Sequence, residues 1–278
     1  MNTTFTDTSS NDPLPKVWDE NTRIGDMLKG KKGLVVGVAN SDSIAFGCAA
    51  KLRAFGADIA LTYLNEKSRT YVAPLAAQID SALLMPLDVS EPGQMKAVFD
   101  EIGEKWGQLD FVIHSIAFAP KADLHGRIVD CSQGGFLQAM QVSVHSFIEM
   151  AHFAEPLMKD GGVLITMSYH GADKVVNNYN IMGPVKAALQ SSVRYLANEL
   201  GPQGIRVYAV SPGPLKTRAA SGIGHFDELI DMAVSNSPGQ RLVDISEVGR
   251  VVAFLVSGSA SGMTGDVIYV DAGLHIVS

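Results

Sequence analysis

Cysteine is scarce in this chain of 278 residues: Cys48 and Cys131 are its only two, far apart and in no paired motif. Neither a disulfide framework nor a cysteine-bound zinc is indicated, and a reducing, cytoplasmic setting is the one to expect. Apolar runs of about 18 residues, the length that signals a membrane span, are missing too. Basic charge is also short. With 22 Lys and Arg against 29 Asp and Glu, the formal net charge is −7, which argues against nucleic acid as a partner, since phosphate neutralisation needs clustered cations. The histidines show no His-x-x-x-His spacing and no adjoining carboxylate cluster, so His114, His145, His152 and His170 are read as structural or surface residues and no metal is expected. The N-terminus lacks the apolar stretch of a secretory signal. Residues 1–27 are polar and rich in Thr, Ser, Asp and Asn near the start, and are read as a flexible extension outside the fold.

What is present is a globular composition, 46% hydrophobic and 18% charged. Short β-branched runs alternate with longer segments of helical period, as in repeated β-α units feeding a parallel sheet. Strands are expected at Leu34–Val38, Asp58–Tyr63, Ala82–Leu87, Leu109–His114, Val163–Met167, Ile205–Val210 and Val267–Val270. Helices are expected at about Ile44–Phe55, Glu66–Ala77, Glu91–Trp106, Phe136–Met158, Lys186–Leu200 and Glu247–Leu255. Nearly all-apolar strands imply a sheet covered on both faces. The expected architecture is therefore α/β: a single doubly wound, Rossmann-type domain over 28–278, its central parallel sheet flanked by helices on both faces. The longest irregular stretch, Ser211 to about Phe226, is read as a binding loop or lid.

In such sheets ligands sit beyond the carboxyl ends of the strands. The first strand is followed by Gly37, Val38, Ala39, Asn40, Ser41, Asp42 and Ser43. Small residues there let a backbone approach a pyrophosphate, and the next helix presents its amides to an anion. This is not the standard G-x-G-x-x-G spacing, so a plain tight turn is an equally open reading. After the second strand come Leu64, Asn65, Glu66 and Lys67, with no basic pair to take the extra phosphate of NADP; NADH is favoured, although Lys67 and Arg69 lie nearby. Asp88 either accepts from an adenine amino group or caps the helix from Glu91. The strongest chemical signal is Tyr179 followed after six residues by Lys186. Helical spacing would put the two on one face two turns apart, and a neighbouring ammonium would favour the ionised phenol.

Several motifs together resemble one family, the bacterial NADH-dependent enoyl-acyl carrier protein reductases of the short-chain dehydrogenase/reductase superfamily. They are Gly37 to Gly47, Ser115 to Pro120, Ser168-Tyr169, Asn178 to Gly183, Lys186, Pro212 to Pro214, Thr217 to Ile223 and Gly265 to Val267. The six-residue gap from Tyr to Lys separates this family from most short-chain dehydrogenases, which use three. The resemblance implies hydride transfer from NADH to the β-carbon of a trans-2-enoyl thioester on acyl carrier protein, the last reductive step of the fatty acid elongation cycle. It implies Tyr179 as stabiliser of the enolate, Lys186 on the nicotinamide ribose and Tyr169 as a second tyrosine of the substrate site. Cofactor contacts are implied at Gly37, Ala39, Ser43, Ile44, Leu64, Asp88, Val89, Ser115, Ile116, Ala117, Lys186, Leu215 and Thr217. An acyl pocket is implied from Phe118, Ala119, Tyr169, Tyr179, Met182, Ala219, Ile223 and Phe226, of which the apolar members could equally be core.

The family also implies a homotetramer, with the helices near Phe136–Met158 and Lys186–Leu200 as packing faces. Beside the substrate loop the chain departs from it. Gly224, His225, Asp227 and Glu228 stand beside the substrate loop, where members carry basic residues for the acidic carrier. Pro184, just ahead of Lys186, is expected in the first turn of its helix. Two other readings stand beside the reductase: a short-chain carbonyl reductase, and a dinucleotide-sensing protein without catalysis.

Overall fold

The computed structural model describes residues 26–215, 217 and 226–277, with the backbone alone for 226–228. Most of the expected 1–27 extension lies outside the described residues. Seven strands build the sheet: β1 Lys32–Val36, β2 Asp58–Tyr63, β3 Leu83–Pro86, β4 Phe111–His114, β5 Gly162–Met167, β6 Ile205–Pro212 and β7 Val267–Val270. All pairings are parallel, in the order β3-β2-β1-β4-β5-β6-β7.

The alternation of strand side chains sorts the core into two layers. Leu34, Val36, Val112, Leu164, Val207 and Ala209 face one cluster, which is filled by α3 (Gln94–Trp106), α6 (Ser146–Ala154) and α7 (Met182–Leu200). Val35, Phe111, Ile113, Val163, Ile165, Tyr208 and Val210 face the other, against α1 (Ile44–Ala54), α2 (Glu66–Gln78) and α9 (Ile245–Val256). Both faces are therefore buried, which is why the strands read as continuous apolar runs. Helix starts follow local chemistry. Asn65 and Ser68 form a reciprocal capping box at α2, and Asp244 and Glu247 another at α9.

Several expectations need correction. The first strand is displaced by two residues toward the N-terminus, because Gly37 leaves the ladder with φ +105°. Helix α3 starts at Gln94, after a left-handed Gly93, rather than at Glu91. The helix expected over Phe136–Met158 is composite. It runs as α5 (Gln133–Met140), a π-helical segment at Gln141–His145, α6, and a 3₁₀ turn at Glu155–Leu157 where Pro156 denies the α-helix a donor. Strand β6 continues to Pro212, and α8 (Phe226–Asn236) begins at Phe226, a helix the sequence reading did not assign. Two short helices, α4 (Lys121–Leu124) and α10 (Leu274–Val277), were also unassigned. Pro184 does occupy the first turn of α7.

His114 ends β4 and is fully buried. Its Nε2 lies 2.9 Å from Ser146 Oγ and its Nδ1 2.8 Å from Thr166 Oγ1. The Ser146 hydroxyl spends its only proton on Val142 O at 2.7 Å, so the ring donates from Nε2 and accepts at Nδ1, a satisfied neutral imidazole. Burial, with the Lys186 charge adding to it, pushes the ring down to about 3 from 6.5. As pH falls, the unfolded chain takes up this proton first, so the stability is complete above about pH 6.5 and is lost progressively toward about pH 3. Urea unfolding should show the wild type losing about 2 kcal/mol more than His114→Gln between about pH 7 and about pH 5.

Candidate active site

The strand order reverses between β1 and β4, and the crevice outside their carboxyl ends is where ligands bind in doubly wound sheets. Gly37 sits at that point. A Cβ there would stand 2.1 Å from the Ser115 carbonyl oxygen, so the turn after β1 can lie against the turn after β4 only without a side chain. Ser43 closes the same turn. Its Oγ accepts from the amides of Ala39 and Asn40, both at 3.0 Å, and donates to Asn40 Oδ1. This tightens the loop directly under the first turn of α1, whose unpaired amides face the crevice end of the sheet. A backbone cradle with no side chain in the way and a helix N-terminus beside it fits the pyrophosphate of a dinucleotide.

A cavity of about 220 Å³ opens next to this crevice. Ile44, Ser115, Ile116 and Ala117 form its wall toward the cradle, and Leu215 and Thr217 close it from the segment after β6. Phe118, Ala119, Tyr169, Tyr179, Met182 and Lys186 complete the expected set that the cavity brings together. Leu124, Met167, Ser168, Leu229 and the Pro212-Gly213-Pro214 turn also line it and were missed as site residues. Met167 looked like ordinary strand core. Leu229 belongs to the unassigned α8, and its apolar spacing was the only signal available. Ala219, Ile223 and the side chain of Phe226 lie outside the described residues.

The π segment explains how the Phe118 turn is held. Ser143, fully buried within it, accepts from the Phe118 amide at 3.0 Å and donates to the Phe118 carbonyl at 3.2 Å. One hydroxyl thus satisfies both backbone groups of a residue that the cavity leaves without a ladder partner.

Tyr179 and Lys186 meet in the cavity, but by another route than a shared helix face. Helix α7 begins only at Met182, and Tyr179 precedes it, set between Asn178 at φ +64° and Asn180 at φ +44°. Asparagine tolerates this left-handed backbone better than most residues. Asn180 also donates from Nδ2 to Leu124 O at 2.7 Å, tying the turn to α4. Lys186 is buried and donates from Nζ to the Met167 carbonyl at 2.6 Å. Desolvation brings its ammonium down to about 8. Tyr179 is buried, with its ring edge-on to Tyr169 at 4.9 Å. Burial first, and Tyr169 second, push the Tyr179 phenol well above its ordinary value. A neighbouring ammonium would favour the ionised phenol, but burial works the other way and favours the neutral O–H, suited to donate. Tyr169 is raised as well, by burial and then by the carboxylate of Asp271.

The remaining expected cofactor positions lie along the carboxyl edge of β2 and β3, away from the cavity lining. Leu64 is exposed just after β2. Asp88 does not cap a helix from Glu91. Its Oδ1 accepts from Ser90 N at 2.9 Å, and its own amide donates to Gln94 Oε1, leaving Val89 partly packed on the core. Arg69, in α2, points its guanidinium at Glu66 Oε2, 3.3 Å away.

A parallel doubly wound sheet with a glycine cradle at its reversal point, beside a cavity holding Tyr and Lys, defines a dinucleotide-dependent oxidoreductase of the short-chain dehydrogenase/reductase class. The family profile described as enoyl-(acyl carrier protein) reductase matches residues 37–275. The NADH-dependent enoyl-acyl carrier protein reductase 1 of Rhizobium meliloti is 46% identical over 251 residues, covering 90% of this chain and 92% of the relative. Its counterpart in Rickettsia felis is 43% identical, covering 90% and 96%. Among solved structures, the reductase of Anaplasma phagocytophilum in complex with NAD superposes with a TM-score of 0.89 at 46% identity, covering 92% of this chain and 98% of that one. This chain belongs to the enoyl-acyl carrier protein reductase family.

Gly37→Ala adds a methyl group against Ser115 O and forces alanine into a positive φ. Chemical denaturation should show a loss of more than about 2 kcal/mol, with NADH binding by fluorescence falling at least in parallel.

Proposed function

We propose that this protein is an NADH-dependent enoyl-acyl carrier protein reductase, catalysing the last reductive step of fatty acid elongation. The observation that carries the reading is the meeting of a neutral Tyr179, Tyr169 and a buried Lys186 on one largely apolar cavity beside the glycine cradle. When bound, NADH supplies the hydride that reaches the β-carbon of the enoyl thioester. The chain's own residues do the rest. Gly37, Ala39, Ser43 and the start of α1 bind the pyrophosphate, and Ile44, Ser115, Ile116, Ala117, Leu215 and Thr217 hold the nicotinamide half against the cavity. Leu64, Asp88 and Val89 flank the adenosine end, where Glu66 and the absence of a basic pair favour NADH over its phosphorylated form.

Lys186 grips the nicotinamide ribose with the N–H groups not given to Met167. Tyr179, kept protonated, donates to the thioester oxygen as negative charge develops there. Such a preorganised donor in a site that excludes water acts on the transition state more than on the ground state. Tyr169 packs edge-on to Tyr179 and fixes its ring. Phe118, Ala119 and Met182 form the acyl pocket, apolar because the chain it receives is apolar.

A homotetramer accompanies this reading. Its support is the apolar surface of α5, α6 and α7, where Phe136, Leu137, Ile148 and Tyr195 are exposed. A cytoplasmic setting fits the two free cysteines and a carrier-bound substrate.

Replacing Tyr179 by Phe should lower kcat for trans-2-enoyl thioesters by about a hundred- to thousandfold while NADH affinity stays near wild type, as read by NADH oxidation and cofactor fluorescence. NADH bound with no turnover of any enoyl thioester by the wild type would overturn the assignment. Lys186 carries its charge below about pH 8 and loses it above, so NADH affinity of the free enzyme should weaken as pH rises through that value. In Lys186→Met the dependence should vanish, which equilibrium titration from neutral to alkaline pH checks.

A further inference from the structure

Behind Tyr169 lies a cluster of titratable groups that the reaction does not use. His170 follows it directly, at the start of the 3₁₀ turn His170–Ala172, and is only 6% exposed. Its ring packs against Tyr169 at 4.3 Å between centroids, so His170, Tyr169 and Tyr179 form a continuous run of three rings. Its Nδ1 is buried and has no hydrogen-bond partner among the described residues. A native protein rarely leaves such a group unsatisfied, since the desolvation is uncompensated.

The groups facing this imidazole come from three places: Asp271 just after β7, His275 in α10, and Asp173 and Lys174 directly after its own turn. Asp271 is buried and already occupied. It accepts from the amides of Gly273 and His275, at 3.0 and 2.9 Å, and lies 2.9 Å from His275 Nδ1. Tyr269 stacks on His275 at 3.9 Å and donates to Asp173 Oδ2 at 2.7 Å, and Lys174 Nζ donates to His275 O. The C-terminal segment is thus clasped to the turn that carries Tyr169.

We propose that His170 is a positioning residue for Tyr169, whose neutral ring seats the tyrosine in the substrate site and whose protonated ring is drawn to Asp271 and unseats it. The inference rests on the reading of Tyr169 as a substrate residue. A buried imidazole with an open Nδ1 that feels the Asp271 carboxylate can take up a proton and swing toward that charge. Burial holds His170 below its ordinary value, with Asp271 opposing, so the change falls on the acid side of pH 6.5. The cradle at Gly37 belongs to other elements and is untouched.

The test is steady-state kinetics on the full chain from about pH 7.5 to about pH 5.5, with a trans-2-enoyl coenzyme A thioester, for wild type, His170→Leu and His170→Gln. In the wild type the KM for the thioester should rise about fivefold toward acid pH, with kcat little altered and the KM for NADH constant; both variants should give a flat KM. A flat wild-type profile, or a variant that keeps the slope, overturns the proposal. Should the variants misfold, NMR of ¹⁵N-labelled imidazoles in the wild type decides: a His170 that stays neutral throughout this range overturns it, and one that titrates in step with KM supports it. Tyr169→Phe is read separately, because an unchanged thioester KM there would remove the role of Tyr169 itself.

Discussion

A buried ammonium needs a reason to stay charged, and in this protein the reason is the Met167 carbonyl, 2.6 Å from Lys186 Nζ. That hydrogen bond joins the first turns of α7 to the carboxyl end of β5, and it sets the distance between the helix and the sheet edge on which the cavity opens. Desolvation works against the charge and brings it down to about 8, which leaves the ammonium only modestly favoured at neutral pH. In its proposed role on the cofactor ribose, its strength would therefore come from low dielectric surroundings rather than from excess basicity. The same charge reaches His114, one strand over, and helps keep that imidazole neutral. Ser146 and Thr166 then complete a polar pair of contacts that a charged ring could not share on the same terms.

Tyr179 depends on this frame through the backbone. It stands outside α7, and the two left-handed asparagines on either side turn its ring back toward the β5 edge instead of along the helix. Strain of this kind persists only where surrounding contacts determine it, and here they include the Asn180 link to Leu124 and the close approach of Gly171, where a Cβ would meet the Tyr179 ring at 2.6 Å. A tyrosine on a regular helix would have its orientation set by helical geometry; one in a braced turn can be aimed independently of the lysine.

The layered α/β architecture was legible because both faces of the sheet are buried: Leu34-Val35-Val36 and Val163-Leu164-Ile165 read as unbroken apolar runs, and helical periods intervene. Boundaries failed where one residue's backbone overrode its neighbours' preference, as Gly37 did at the end of β1 and Gly93 before α3. The π segment was invisible. Gln141 to His145 has an ordinary helical composition, and its register shift is set by tertiary demands from Phe118 and His114 on Ser143 and Ser146. Of the residues that line the cavity, Tyr179 and Lys186 were legible from side-chain chemistry and Tyr169 from the family resemblance. Leu124, Met167 and Leu229 were missed because an apolar side chain lining a cavity and one filling a core obey the same rule.

The ionisation of Tyr179 shows how far residue spacing alone can mislead. A lysine seven positions on suggests a phenolate, yet the buried ring is pushed the other way, with Tyr169 adding to the effect of desolvation. Lys186 spends a hydrogen bond on Met167 and keeps its charge; Tyr179 keeps its proton. A charged and a neutral group, both protonated, therefore share one cavity, each held by a separate cause: a carbonyl partner for the ammonium and an apolar wall for the phenol. In the proposed reaction the enolate would meet in Tyr179 a donor that has not yet given up its proton, while the Lys186 charge would stay on the cofactor ribose. That combination, rather than either residue's intrinsic reactivity, is what the proposed mechanism would draw on in the transition state.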